Sequence, residues 1–79
     1  METRVHVHGF LKHVVSPRFP NQPISLEFEP PLTVYKILSG TMGIKTLDAT
    51  VLVNGRTVNM EYVIQDGDEI HILSPIAGG

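Results

Sequence analysis

The 79-residue sequence contains no cysteine and no tryptophan. Without thiols it can form no disulfide, no thiolate metal site and no cysteine nucleophile, so packing alone must hold the fold, and a reducing, cytoplasmic compartment is expected. Charge is sparse as well: six Lys and Arg against eight Asp and Glu give a net charge of −2. The basic residues are scattered and offer no stripe for neutralising phosphates, which argues against a nucleic-acid partner. No apolar run is long enough to span a bilayer. The opening Met1-Glu2-Thr3-Arg4 lacks the basic-then-apolar order of a signal peptide, so no membrane partner is expected either. A Gly-rich phosphate loop, a metalloprotease helix motif and a Ser nucleophile elbow are all missing. The chain is therefore not expected to be an enzyme.

What is present is enough apolar material for a core. Hydrophobic residues make up 42% of the chain and no charge block interrupts them, so residues 1–79 should form one small domain. Arg4-Val5-His6-Val7-His8 alternates with period two and predicts a half-buried strand, with the valines on one face and the histidines on the other. Gly9 reads as a bulge, with the strand continuing, locally kinked, through Phe10 and Leu11. Pro17, Pro20 and Pro23 make residues 16–23 a loop. Ile24 to Glu29 alternates again, with Ile24, Leu26 and Phe28 facing inward, until Pro30-Pro31 ends the strand.

Thr33 is the expected N-cap of a short helix, with Leu32 and Ile37 at the positions of a hydrophobic staple. Gly43 is placed to supply the left-handed residue that closes it, with Ile44 packing back. In Thr50 to Val58 the Asn54-Gly55 pair separates two β-prone runs, a strong hairpin signal in which Val53 opposes Arg56 and Val51 opposes Val58. Asp66-Gly67-Asp68 reads as a turn. Glu69 to Leu73 reads as a last strand with Ile70 and Ile72 inward, stopped before Pro75. Short connections suit antiparallel pairs and the helix provides a crossover for a parallel one. The resulting fold class is α+β: a β-grasp, with a mixed sheet of four to five strands curled over one helix and the first and last strands side by side in the middle. Residues 74–79 are expected to form an exposed, flexible tail.

The run Asp66-Gly67-Asp68-Glu69-Ile70, the strand after it and the closing Ile76-Ala77-Gly78-Gly79 resemble the ThiS/MoaD family of ubiquitin-like sulfur carriers. Val53-Asn54-Gly55 is similar to that family's hairpin, and the order of elements agrees over nearly the whole chain. Ser74-Pro75 is similar to the approach to the tail in molybdopterin-synthase small subunits, whereas Ile76 to Gly79 reads more like the thiazole-synthesis carriers. The longer loop of residues 17–23 keeps archaeal-type modifier proteins open as well.

The resemblance implies a function and a site. Gly79 would be adenylated by an E1-like activating enzyme that uses ATP, and a sulfur donor would convert it to a thiocarboxylate for a downstream acceptor synthase. That sulfur would serve molybdopterin or thiamine-thiazole synthesis or tRNA thiolation. Gly78, Ala77 and Ile76 would thread into the partner's active site. Glycine suits such a channel because it lacks Cβ and lets the carbonyl be approached from either face. The chain itself would bind no cofactor. The alternative implied is a protein modifier joined through Gly79 to lysines of target proteins.

Other residues invite function less directly. Leu73, outward by parity and close to Ile76, is a candidate partner-binding surface or an ordinary exposed leucine. His6, His8 and His71 could present three imidazoles to a metal. With no carboxylate at evident outer-sphere spacing they are read instead as solvent-facing strand residues, and no metal is expected. Asp66, Asp68 and Glu69 do not have the spacing of a calcium loop and are accounted for by the turn and the strand edge.

Overall fold

The computed structural model describes residues 1–44 and 49–73. The expected flexible tail, 74–79, lies outside the described residues. Five strands form one mixed sheet in the order β2-β1-β5-β3-β4. They are β1 (Glu2–Val7), β2 (Ile24–Glu27), β3 (Thr50–Val53), β4 (Arg56–Val58) and β5 (Glu69–Leu73). β1 and β5 run parallel at the centre, and the other pairs, β1 with β2, β3 with β5 and β3 with β4, are antiparallel. This is the β-grasp arrangement, with the first and last strands adjacent as the alternating patterns implied.

Alternation places the core. Val5 and Val7 of β1, Ile70 and Ile72 of β5, and Val51 and Val53 of β3 are all buried on one face of the sheet. Against them pack Val34, Ile37 and Leu38 from α2, which begins as α-helix at Val34–Lys36 and continues as a π-helical turn, Ile37–Thr41. Thr33 caps it as expected, its side chain accepting from the Lys36 N–H at 3.2 Å. The wide turn shows in the Met42 N–H, which reaches the Ile37 carbonyl five residues back at 2.8 Å. Gly43, at φ 67°, turns the chain so that the Ile44 N–H bonds the Leu38 carbonyl at 2.8 Å and its side chain is buried. That bond spans six residues, one more than in a Schellman closure, and follows the left-handed residue expected after the helix.

One expectation fails. The chain does not continue as a strand through Phe10 and Leu11 but forms a helix, α1 (Phe10–Val15). Gly9, at φ 65° and ψ −145°, takes a conformation that side-chain-bearing residues avoid and so turns the chain out of β1. Leu11 and Val15, four apart, then bury themselves on one helical face, while Phe10 and Val14 stay exposed on another. The proline-containing loop has a structural duty of its own. β1 pairs with β2 only as far as Val5, and beyond that the Gln22 side chain accepts from the Val7 N–H at 2.8 Å, replacing the missing strand partner.

Candidate functional site

The residues singled out as reacting or threading, Ile76, Ala77, Gly78 and Gly79, lie outside the described residues, but the structure shows what leads to them. Leu73, the last described residue, ends a strand paired on both sides. Thr50 of β3 lies opposite Leu73, and the His8 N–H donates to the Ile72 carbonyl at 2.9 Å. A central strand tied to two neighbours up to its end gives whatever follows a fixed point of departure. Because β1 and β5 are parallel, that end also holds the start of α1. Phe10 there is 60% exposed. Leu73 is half-buried and shares the outward face with His71 and Glu69, as parity predicted.

The other end of β5 is held by a polar network that joins the two turn motifs. In the Asn54-Gly55 turn both residues have positive φ, 52° and 84°, as a type I′ hairpin requires, and the register puts Val53 opposite Arg56 and Val51 opposite Val58. In the second turn Gly67 also has φ 84°, and the Asp68 N–H closes on the Gln65 carbonyl at 3.1 Å. The buried Asp68 carboxylate then accepts from Asn54 Nδ2 at 2.9 Å, from the Gln65 N–H at 2.8 Å and from the Tyr62 hydroxyl at 3.1 Å. Asn54 answers by accepting from the Glu69 N–H through Oδ1 at 3.0 Å and donating its own N–H to the Glu69 carbonyl at 2.9 Å. Thr3, buried in β1, donates its hydroxyl to the Asp68 carbonyl at 2.6 Å. Burial and the bond to Asp68 both push the Tyr62 phenol above its ordinary range. Each motif announced a turn in the sequence, but nothing in their spacing showed that they bind each other across 14 positions.

The outward face of the central strands carries the histidines. His6 lies directly opposite His71, with the rings stacked at 4.3 Å, and the His8 ring lies 5.2 Å from His71 and 6.5 Å from His6. A carboxylate is present after all: Glu69 Oε2 is 2.8 Å from His6 Nε2, and its other oxygen is taken by Arg4. Sequence spacing hid it because His6 and Glu69 are brought together only by the parallel pairing. The hydrogen bond from His6, together with Arg4, holds the Glu69 carboxyl below its usual range against the opposing effect of desolvation. His8 is lowered by burial first and then by the neighbouring His71, His6 and Lys12.

Among the described residues no helix is long and apolar enough to cross a membrane. The described residues present two candidate features: a central strand paired on both sides up to Leu73, and the cluster of histidines and Glu69 on the open face of the sheet.

Comparison with known proteins agrees with the architecture. Residues 25–79 match the model of the ThiS family. No curated protein matches the chain. Among solved structures, SAMP1 from Haloferax volcanii superposes with a TM-score of 0.74 at 17% identity, covering 100% of both chains. A Pyrococcus furiosus protein assigned as molybdopterin converting factor subunit 1 gives 0.71 at 14% identity, over 96% of this chain and 99% of that one. Urm1 from Trypanosoma brucei gives 0.69 at 18% identity, over 99% and 95%. At these identities the likeness establishes a shared fold.

Proposed function

The chain belongs to the ThiS family, and on that premise we propose that it is a sulfur carrier whose reacting group is the carboxyl of Gly79. The observation that carries this reading is that the family match runs to Gly79 while the fully paired central strand ends at Leu73. Six residues follow Leu73, and six extended residues reach at most about 20 Å, enough to enter another protein's nucleotide site while the sheet stays outside.

The chemistry assigned to the partners needs nothing from this chain but that carboxyl. A carboxylate oxygen of Gly79 attacks the α-phosphorus of ATP in an E1-like activating enzyme, and pyrophosphate leaves. A hydrosulfide-level donor then attacks the acyl carbon, AMP leaves, and a thiocarboxylate remains. Activation followed by displacement splits a hard step into two easier ones, both catalysed by partners. Gly78, Ala77 and Ile76 supply the slim approach, and Leu73 with the exposed Phe10 supplies apolar surface beside the departure point. The delivered sulfur goes to an acceptor synthase, in molybdopterin or thiamine-thiazole synthesis or in tRNA thiolation.

The test is isotope exchange between pyrophosphate and ATP catalysed by a ThiS-type activating enzyme. Exchange should depend on this chain and vanish when Gly79 is deleted; exchange undiminished by the deletion overturns the reading. A second reading, conjugation to target lysines through Gly79, draws on likeness to a small archaeal modifier protein. Gly-Gly remnants on lysines of proteins from cells expressing the chain would support it, and their absence alongside a detectable thiocarboxylate would leave sulfur transfer as the sole role.

A further inference from the structure

The cluster on the open face of the sheet plays no part in the sulfur reading. Its composition is nonetheless that of a ligand set. His6 and His71 face one another across the parallel pair, and Glu69 lies two residues before His71 on the same face. One donor atom from each of His6, Glu69 and His71 lies within 4.8 Å of the others. We propose that these three residues bind a borderline first-row divalent cation such as Zn²⁺, on the outward face where β1 and β5 meet.

Donor type comes first in the argument. Two imidazoles and one carboxylate form the His₂Glu set that holds zinc with a coordination position left for water. Ligands at about 2.0–2.1 Å around a tetrahedral centre lie roughly 3.3 Å apart. A cluster already within 4.8 Å closes to that spacing through side-chain rotation, with the strand backbones fixed. His6 and Glu69 are 25% and 33% exposed, so the cation would be shielded beneath and open to solvent above.

The contacts around the cluster favour the same outcome. His6 Nε2 and Glu69 Oε2 lie 2.8 Å apart, so a cation would take two donors that a hydrogen bond already brings together. The three rings lie nearly parallel, 4.3 to 6.5 Å apart, so the imidazole donors are already gathered on one face. His8, whose Nε2 is 2.9 Å from His71 Nδ1, orients the His71 ring from outside the ligand set. Arg4 opposes a cation, but its side chain is 54% exposed and holds only the second oxygen of Glu69, from which it can swing into water.

The experiment is a titration of the full chain with zinc chloride, followed by the imidazole resonances in proton–nitrogen NMR. His6 and His71 should shift and saturate at one equivalent, while His13, on α1 and outside the cluster, should stay in place. Glu69→Gln and His71→Ala should each weaken binding by about tenfold or more. Equal movement of all four histidines, or no movement at millimolar zinc, overturns the site, as does unchanged affinity in a folded variant. The wild-type titration decides the matter even if a variant does not fold. No activating enzyme enters the assay, so its outcome is independent of the sulfur-carrier reading.

Discussion

Replacing Asp68 by alanine tests how the molecule holds its central strand. Its carboxylate accepts from Asn54 Nδ2, the Tyr62 hydroxyl and the Gln65 N–H, and the substitution removes all three bonds. Hydrogen bonds to a charged group are worth about 1.5–3 kcal/mol each, and donors left buried cost more than donors that water can reach. Asn54 and Gln65 are exposed residues and regain water, so the loss should be about 3–4 kcal/mol rather than the full sum. A domain of 79 residues has roughly 4–12 kcal/mol in all, so the variant approaches the unfolding threshold. Asp68→Asn is gentler. Its single oxygen can serve Gln65 and Tyr62, but its amide then meets the Asn54 amide, which cannot turn because Asn54 Oδ1 holds the Glu69 N–H. That variant should lose about 1–2 kcal/mol. Urea unfolding followed by far-ultraviolet circular dichroism suits a chain without tryptophan. With a slope of about 1 kcal/mol/M, the midpoint should fall by roughly 3 M for alanine and half that or less for asparagine. An alanine variant within about 1 kcal/mol of wild type would refute the network's structural role.

Gly43→Ala should cost about 1–2 kcal/mol, because the new Cβ meets only Arg18 Nη1 at an ordinary 3.7 Å and the strain comes from φ 67° alone. Gly40→Ala, with open space around its Cβ and no positive φ, should instead stabilise by roughly 0.5–1 kcal/mol, and thermal melts of the pair separate the two effects. The phenol of Tyr62 should ionise above the ordinary tyrosine range in an ultraviolet titration, and Asp68→Asn should bring it down toward that range. Since its folded value lies above the unfolded one, this contribution to stability is present below about pH 10 and is lost as pH rises through the folded value. Phe10→Ser should change stability by less than about 0.5 kcal/mol, because the side chain is 60% exposed, while slowing activation by the partner enzyme.

Much of the fold was legible where one physical signal dominated. Period-two alternation placed β1, β2 and β5, and the Asn54-Gly55 turn fixed the β3–β4 register because a two-residue loop with positive φ leaves no alternative. The N-cap at Thr33 and the left-handed Gly43 likewise follow from local backbone chemistry. Residues 10–15 were misread because Gly9 is equally consistent with a bulge and with a turn out of the strand, and the Leu11–Val15 spacing is too short a helical signal to decide between them. The polar network and the His6–Glu69 contact were illegible for a different reason. Both join residues distant in sequence, in two turns in one case and on two strands in the other, and only the sheet order brings them together.

The structural account and the proposed function meet at β5. Its start is locked by Asp68 and Asn54, its body is paired on both sides, and its end leads toward the residues on which the chemistry depends. The intact mass of the chain, after incubation with an E1-like activating enzyme, ATP and a sulfide donor, tests this most directly. A gain equal to one oxygen-to-sulfur exchange, localised by fragmentation to Gly79, is the predicted result. An unchanged mass under conditions in which the enzyme converts another family member would contradict the account.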